Sequence, residues 1–427
     1  MKLCEFFRDR EYLEKLTVPS ARSMGDYKVI DFWAPPQQPP ERIEALVTHL
    51  ASAHDGFRSG FHRMEDGSLR ARFWDDSRPS WNTFEVEYLE ADLLPIDEFR
   101  AKRYGDIDLH NGRPAAFYYF SSPRQSTAIL RLLCSHFIWD QFTHAAVANT
   151  MIGFWKGGRL PPKEDTGYAD WMDAYANHAR SPAGFEAHRF WASEPSIAFE
   201  RLQHLKPLVS DRAAHEATLS IPYPLYGRLD KLARQTFRCR VSDLVTMAIF
   251  AALGREFAMD EVPVNWTCHG RFPIQSKRFA NTVGYLTSRH PFVFPIGDGD
   301  PGAAFGRFRG AMLRLPQHGN SYAWIMRFSK GANSSGMSQR LYSPITINVR
   351  DGFVRPDFEK KLPAGNDLPD VALKPLTDWR SGSHMYIVLD VGATLRVSVT
   401  SFDNPASPTT SEKVAAEIGA FLQRIGR

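Results

Sequence analysis

One segment of the chain, residues 129–147, constrains the fold most because it joins an apolar strand to a helix through a short turn. Its sequence is ILRLLCSHFIWDQFTHAAV. The apolar run 128–134 indicates a buried strand, and the residues from Gln141 to about 154 indicate a helix. The strand brings His136 to the turn, and Asp140 stands at the start of the helix. Strand and helix in direct succession predict a mixed α/β (α+β) class.

Further strands and helices alternate on both sides of this segment. Residues Ile43, Leu46, Val47 and Leu50 lie at helical spacing and predict a helix over 41–53. The helix predicted at 242–257 is expected to begin with Ser242 as its N-cap. The other predicted strands are 29–33, 115–119, 217–221, 262–268 and 395–401, and the other predicted helices are 226–237, 303–313 and 411–424.

The length of 427 residues predicts two lobes, at roughly 100 to 200 residues per domain. A loop rich in Gly, Pro and charge is predicted at 157–167, and a polar stretch follows at 207–216. The boundary between the lobes is expected between these two segments.

The charge balance argues against a polyanionic partner. The chain has 52 Lys and Arg against 48 Asp and Glu, without a run of five basic residues, so we expect neither nucleic acid nor an anionic membrane. No apolar stretch approaches membrane-spanning length, and charges interrupt the N-terminus where a signal peptide needs its apolar core. The four cysteines form no CxxC pair, which predicts neither disulfides nor zinc and favours a cytoplasmic location.

Two patterns suggest cofactor sites, and their contexts disfavour both. Residues 297–302 satisfy GxGxxG, but the two aspartates within them would repel a pyrophosphate, so a plain turn is expected. Residues His136, Asp140 and His144 would align as metal ligands on one continuous helix. The strand before His136 breaks that alignment, and we expect no metal site.

His136 is the best candidate for acid–base chemistry. An imidazole with a pKa near 6.5 can accept a proton at neutral pH, and the Asp140 carboxylate can fix the local turn or pair with a nearby cation. An isolated HxxxD pattern is weak support for catalysis.

A set of short motifs in a particular order strengthens that hypothesis. The segments are HDGFRSGF (54–61), SHFIWDQ (135–141), YADWMDAY (168–175), RFW (189–191), GR (270–271) with VGYLTS (283–288), and HGNSYAW (318–324). They resemble, in order, HExLRTxF, HHxxxDG, YxDYAxW, the YW pair, GR with VGxFxN, and more loosely HQDxPFE. These motifs belong to the condensation domains of nonribosomal peptide synthetases, in the chloramphenicol acetyltransferase-like superfamily.

The chain departs from the family pattern at three positions. Ser135 replaces the first His of HHxxxDG, while the second His, which the family holds essential, is kept as His136. Gln141 replaces the final Gly and introduces a bulky side chain beside the expected acyl site. The Asn of VGxFxN falls at Ser288 or Thr287, depending on alignment.

The resemblance implies a V-shaped pseudo-dimer of two chloramphenicol acetyltransferase-like lobes, residues 1–175 and 176–427, with a channel between them. It implies that His136 is the catalytic residue at the midpoint. It also implies a salt bridge from Asp140 to an arginine, with Arg58 as first candidate and Arg271 as second. The residues expected along the substrate channel are Ser135, Trp139, Gln141 and Ser288.

The implied activity is acyl transfer in natural-product biosynthesis. A carrier protein acting in trans would present an acyl or peptidyl thioester on phosphopantetheine, and a small amine or alcohol would accept it as an amide or ester, with chain release as one role. We expect a monomer with no bound cofactor. Two alternatives remain open, namely a degenerate domain that only binds a carrier or recruits a partner enzyme, and an acyltransferase that uses acyl-CoA.

Overall fold

The computed structural model describes residues 2–5, 27–65, 69–74, 86–89, 95–121, 128–157, 166–202, 205, 215–274, 277–296, 301–328, 333–351, 384–392, 395–401 and 410–426. Its contacts divide the chain into two compact units. Unit 1 comprises Met1–Ser181 and His269–Thr287, and unit 2 comprises Pro182–Cys268 and Ser288–Arg427. A short segment from the second half therefore packs within unit 1, while the lobes 1–175 and 176–427 stay a prediction.

Unit 1 contains seven strands and four helices within its described residues. The strands are β1 (Lys2–Glu5), β2 (Tyr27–Ala34), β3 (Ser59–Arg63), β4 (Leu69–Phe73), β5 (Val86–Leu89), β6 (Ala115–Phe120) and β7 (Ala128–Ser135). The helices are α1 (Pro40–Ala53), α2 (Ile96–Arg103), α3 (Gln141–Gly157) and α4 (Tyr168–Ala179).

Strand β7 is interior to a four-stranded sheet of order β2-β7-β6-β5. It pairs antiparallel with β2 along its whole length and with β6 on its other side. All but one of its side chains are buried, which accounts for its continuous apolar sequence. Its one charged residue, Arg131, is neutralised by a bidentate ion pair with Asp31 at 2.6 and 2.8 Å. A three-stranded antiparallel sheet, β1-β4-β3, completes the strands of unit 1.

Unit 2 contains the remaining elements. Its strands are β8 (His215–Ile221), β9 (Glu261–Cys268), β10 (Ser288–Pro295), β11 (Ile345–Asp351), β12 (Met385–Val391) and β13 (Leu395–Ser401). Its helices are α5 (Pro182–Ser193), α6 (Ile197–Glu200), α7 (Tyr223–Leu232), α8 (Val241–Glu256), α9 (Pro301–Arg314), α10 (Asn320–Phe328), α11 (Asn333–Arg340) and α12 (Thr410–Ile425).

The core of unit 2 forms on a six-stranded mixed sheet of order β10-β9-β11-β12-β13-β8. Helix α8 is apolar on nearly every side and is buried over most of its length, as expected for a helix enclosed by other elements. Helix α12 instead buries a single stripe, Val414, Ile418 and Leu422, at a spacing of four.

Most predicted elements are confirmed. The helix at 41–53 is α1, and the strand at 395–401 is β13, residue for residue. The helix predicted at 226–237 is shorter, because α7 ends at Leu232 and a π-turn, Ala233–Phe237, follows. The loop at 157–167 and the GxGxxG at 297–302 lie largely outside the described residues.

The prediction that Ser242 is the N-cap of helix α8 is wrong. Helix α8 begins one residue earlier, and Arg240 is its N-cap. The Ser242 hydroxyl donates instead to the carboxylate of Asp351. The backbone N–H of Arg240 donates to the side chain of Asp243, 3.1 Å away, and this bond stabilises the start of the helix.

We expect Gly319→Ala to destabilise the protein by about 2 to 3 kcal/mol, because a left-handed backbone costs a residue with Cβ about 1 to 2 kcal/mol and overpacking adds to that. Gly319 has φ +88°, and a Cβ there would clash with the ring of the buried His290. Gly310→Ala on α9 is the matched control, since no atom lies within 4 Å of its added Cβ. Urea denaturation gives both values, and an equal change in the two variants would contradict the expectation.

The stability of the protein should fall on acidification, in part through His290. Burial lowers the pKa of His290 from 6.5 to about 4. The unfolded chain therefore takes up a proton between about pH 6.5 and pH 4 that the folded chain does not, so the free energy of unfolding decreases as the pH falls through this window. Between pH 7 and pH 5 the parent should lose about 1 to 2 kcal/mol more than His290→Gln. His62→Gln, at an exposed position, is the control, and identical losses in all three proteins would contradict the prediction.

Candidate active site

The turn that carries His136 follows directly from the end of β7. Ser135 is the last residue of the strand and caps a single 3₁₀ turn, His136–Ile138, by accepting a hydrogen bond from the Phe137 N–H at 3.2 Å. Ser135 is fully buried, so this bond satisfies a polar group that water cannot reach. Ser135, which stands where the HHxxxDG motif has its first histidine, therefore has a structural role as the cap of this turn.

The His136 imidazole is buried and has a fixed hydrogen bond on one side. Its Nδ1 lies 2.7 Å from the backbone carbonyl oxygen of Trp139. A carbonyl oxygen can only accept, so Nδ1 carries the hydrogen in the neutral ring and Nε2 carries the lone pair. The ring of Tyr285 stands perpendicular to the imidazole, with 4.6 Å between centroids. The arrangement makes Nε2 the basic nitrogen.

Asp140 makes the ion pair that the resemblance implies, and its partner is Arg271. The guanidinium Nη1 lies 2.5 Å from Oδ2 and Nη2 lies 2.8 Å from Oδ1, and both side chains are 2% exposed. The same carboxylate accepts the N–H of Thr143 at 2.9 Å, which caps the first turn of α3, and the N–H of Leu286 at 3.0 Å. Asp140 therefore fixes the turn and neutralises a cation, which were the two roles considered for it.

The prediction that Arg58 is the first candidate partner of Asp140 is wrong. The Nε of Arg58 donates to the Ala51 carbonyl at 3.0 Å, and its Nη1 donates to the Trp74 carbonyl at 2.6 Å. Ala51 lies in the last turn of α1, where carbonyl oxygens lack partners within the helix. Arg58 thus caps the C-terminal end of α1 and also holds the backbone at Trp74.

Thr143 joins α3 to the loop 282–287, and sequence reasoning missed it. Its hydroxyl donates to the Gly284 carbonyl at 2.9 Å and accepts the Gly284 N–H at 3.0 Å. Arg271 adds a bond to the Thr282 carbonyl at 3.0 Å. The available signal was the spacing Asp-x-x-Thr at the start of a helix, which is typical of an N-terminal turn but does not reveal a distant partner.

Four of the matched motif segments meet inside unit 1. The Asp55 carboxylate, from HDGFRSGF, accepts the N–H groups of Tyr168 and Ala169 at 2.7 and 3.0 Å and so caps α4. Burial raises the pKa of Asp55, while these two bonds oppose the shift. The Tyr168 hydroxyl reaches the carbonyl oxygens of Phe137 and Tyr285 at 3.2 and 3.3 Å. Segments that are far apart in the sequence therefore enclose the His136 turn.

The expected channel residues have different environments. Trp139 is buried, and its ring centroid lies 6.3 Å from that of Phe32 and 6.1 Å from that of His144. Its role is therefore packing. Gln141 is the first residue of α3 and is partly exposed. Burial lowers the pKa of His144 to about 4. Within the described residues, no group of three or more His, Cys, Asp and Glu side chains is arranged to hold a metal ion.

Ser288 belongs to unit 2, where it begins β10. Its hydroxyl is 2.8 Å from Asn320 Oδ1 and 2.9 Å from the Cys268 sulfur. In the same unit, Trp191 of the RFW segment donates its indole N–H to Ser321 at 3.0 Å, which joins two further motif segments.

The sequence of this chain matches a known protein family. The family model described as "Condensation domain" matches residues 34–347, about three quarters of the chain. The chain belongs to the condensation-domain family. The matched range includes the segments that surround His136, and the mixed α/β class is confirmed. Among the described residues of this condensation domain, no helix combines the length and apolarity needed to cross a bilayer.

Two curated relatives of the condensation domain are large synthases. A linear gramicidin synthase of Brevibacillus parabrevis is 24% identical over 269 residues, or 59% of the chain. N-(5-amino-5-carboxypentanoyl)-L-cysteinyl-D-valine synthase of Amycolatopsis lactamdurans is 27% identical over 293 residues, or 67% of the chain. The aligned parts span only 5% and 8% of those relatives.

Solved structures share the fold of the whole chain. The epimerization domain from the third module of tyrocidine synthetase B has a TM-score of 0.72 at 15% identity, covering 95% of this chain and 93% of that one. The condensation domain of the Monacolin K polyketide synthase has a TM-score of 0.70 at 12% identity, covering 100% and 98%. The condensation domain for chain release from the enacyloxin polyketide synthase has a TM-score of 0.66 at 18% identity, covering 94% and 78%.

Proposed function

We propose that this condensation domain is an acyltransferase that joins a carrier-bound acyl or peptidyl thioester to an amine or hydroxyl acceptor. The observation that carries the proposal is the orientation of His136. Its Nδ1 is bonded to the Trp139 carbonyl, which assigns the lone pair of the neutral ring to Nε2. A histidine oriented in this way is suited to remove a proton from a nucleophile.

The chemistry follows from that assignment. The Nε2 of His136 accepts the proton of the amine or hydroxyl while the acceptor's nitrogen or oxygen attacks the thioester carbonyl. The resulting tetrahedral intermediate collapses, the carbon–sulfur bond breaks, and an amide or ester remains. The imidazolium returns its proton to the departing phosphopantetheine thiolate, so the enzyme regains its starting state. Donors positioned near the carbonyl oxygen would lower the barrier by stabilising the developing oxyanion.

In this mechanism the Asp140–Arg271 pair supports the site and takes no proton. The carboxylate already accepts hydrogen bonds from a guanidinium and two backbone N–H groups. Both carboxylate oxygens are therefore engaged by donors of the protein itself, and Asp140 is assigned no role in proton transfer. Its contribution is to hold the start of α3 and the loop 282–287 around the His136 turn.

The enacyloxin relative, whose condensation domain mediates chain release, suggests the same role here. Transfer to a free acceptor would release the product from the carrier. A search for carrier-protein genes beside the gene for this chain would supply the cognate carrier and the candidate acceptors.

The donor is tested directly by offering the same acyl group on a cognate carrier and on CoA. We expect product from the carrier-bound donor and at least a tenfold lower kcat/KM for the CoA thioester. A preference for CoA would favour the acyl-CoA alternative. Chiral analysis of the recovered acyl group completes the test, because inversion of a stereocentre without transfer would contradict the proposal in favour of epimerization.

Gln141 should tune the reaction without being required for it. It occupies the position of the motif glycine and is partly exposed at the start of α3. We expect Gln141→Gly to change the ratio of kcat/KM values between acyl donors by about five- to thirtyfold while keeping turnover, since one side chain at a substrate pocket alters binding by about 1 to 2 kcal/mol. Complete loss of activity in a folded Gln141→Gly variant would contradict this expectation. Asn149→Gly, at an exposed position of α3, controls for the helix penalty of glycine.

A further inference from the structure

The orientation of His136 requires more than its hydrogen bond. The bond from Nδ1 to the Trp139 carbonyl fixes one ring atom. The χ2 torsion of histidine has a broad energy profile, so the ring plane can still rock about that bond. A second contact on the ring is needed to hold Nε2 in one direction.

Tyr285 supplies that second contact. Its ring is perpendicular to the imidazole, with the centroids 4.6 Å apart, which is a favourable edge-to-face distance for two aromatic rings. Both side chains are at least nine-tenths buried. Rotation of the imidazole away from its observed plane would therefore collide with the tyrosine or lose the contact.

The backbone of Tyr285 is itself fixed to the turn that bears His136. Its N–H donates to the Phe137 carbonyl at 3.2 Å, and its carbonyl accepts from the Tyr168 hydroxyl at 3.3 Å. The residues on either side are also held, Gly284 by the Thr143 hydroxyl and Leu286 by Asp140. The backbone of Tyr285 is therefore held to the turn that bears His136, and the two residues keep their relative position.

We propose that Tyr285 is a positioning residue that holds the His136 imidazole in its reactive plane. The inference rests on the proposed function, in which His136 is the base. The ring, and not the hydroxyl, does the positioning. A base displaced by about 1 Å loses roughly a hundredfold in rate, so a loss of this contact should appear in kcat, with KM little changed.

The test compares Tyr285→Phe, which keeps the ring, with Tyr285→Leu, which removes it. We expect Tyr285→Phe to stay within about threefold of the parent and Tyr285→Leu to lose about 10- to 100-fold in kcat. Tyr104→Leu, a partly exposed tyrosine of unit 1, is the control for loss of an aromatic ring. Equal activity of Tyr285→Leu and the parent would overturn the proposal, and so would an equal loss in both Tyr285 variants, because that would assign the effect to the hydroxyl.

A second readout does not depend on turnover. In ¹⁵N-histidine-labelled protein, assigned with His136→Gln, the parent and Tyr285→Phe should show His136 as a single Nδ1–H tautomer. Tyr285→Leu should keep the Nδ1–H tautomer, because the Trp139 carbonyl still accepts that hydrogen, but motion of the freed ring should broaden its His136 signals. An unchanged signal in folded Tyr285→Leu would overturn the positioning role. If the parent shows no transfer while the NMR result is as expected, the proposed function fails and the positioning of the ring stands.

Discussion

The His136→Ala variant should lose acyl transfer by about a hundred- to ten-thousand-fold, which is the usual cost of removing a general base. The reason lies in Nε2, the basic atom that the hydrogen bond of Nδ1 holds in a defined orientation on the His136 turn. The loss should appear in single-turnover experiments on a preloaded carrier, where product release does not limit the rate.

The folded state should survive this substitution. His136 is only 7% exposed, so its removal leaves the Trp139 carbonyl without its hydrogen bond and costs about 1 to 2 kcal/mol. Circular dichroism and a melting curve check that the variant is folded, and His62→Ala, on the exposed face of β3, is the matched control. A folded His136→Ala that keeps more than a tenth of the parent's rate would remove His136 from the mechanism.

Breaking the pair between Asp140 and Arg271 should give the largest loss of stability. Either Asp140→Ala or Arg271→Ala leaves one buried charge without compensation, which costs about 3 to 5 kcal/mol. The two side chains are 2% exposed, so water cannot replace the missing partner. Chemical denaturation at neutral pH measures both variants.

A surface pair provides the comparison. Lys102 and Glu98 on α2 form an exposed ion pair at 2.8 Å, and Lys102→Ala should cost less than about 1 kcal/mol because exposed pairs contribute little. The Asp140→Ala, Arg271→Ala double variant should be less destabilised than the sum of the single variants, since neither charge is then left alone. If Asp140→Ala unfolds like the parent and is nevertheless inactive, Asp140 takes part in the chemistry, and its supporting role is wrong.

Local features of the fold could be read from the sequence because they depend on neighbouring residues. The spacing of Ile43, Leu46, Val47 and Leu50 predicted α1, and all four are buried. The continuous apolar run 128–134 predicted a buried strand, and β7 lies inside its sheet. The positions of His136 after the strand and Asp140 before the helix followed from the same local pattern.

Distant partners could not be read in this way. Arg58 was favoured over Arg271 for Asp140, although Arg271 lies 131 residues away along the chain and makes the bond. Nothing in the sequence near Asp140 shows that the loop 282–287 returns to it, and the contact of Tyr285 with His136 depends on that return. The same holds for Ser242, which the local pattern predicts as an N-cap. Its hydroxyl donates to Asp351, a distant residue that a capping pattern cannot reveal.

Acyl transfer by His136 is measured most directly by the intact mass of a cognate carrier protein that bears an acyl thioester. The mass is taken after incubation with the parent, with His136→Ala, or without enzyme. Candidate amines and alcohols are supplied in each case. We expect that only the parent removes the acyl mass from the phosphopantetheine arm and that a new amide or ester of matching mass appears in solution. If the parent binds the carrier tightly and the acyl group stays attached, His136 is not the base of an acyl transfer, and a domain that only recruits its partner is favoured.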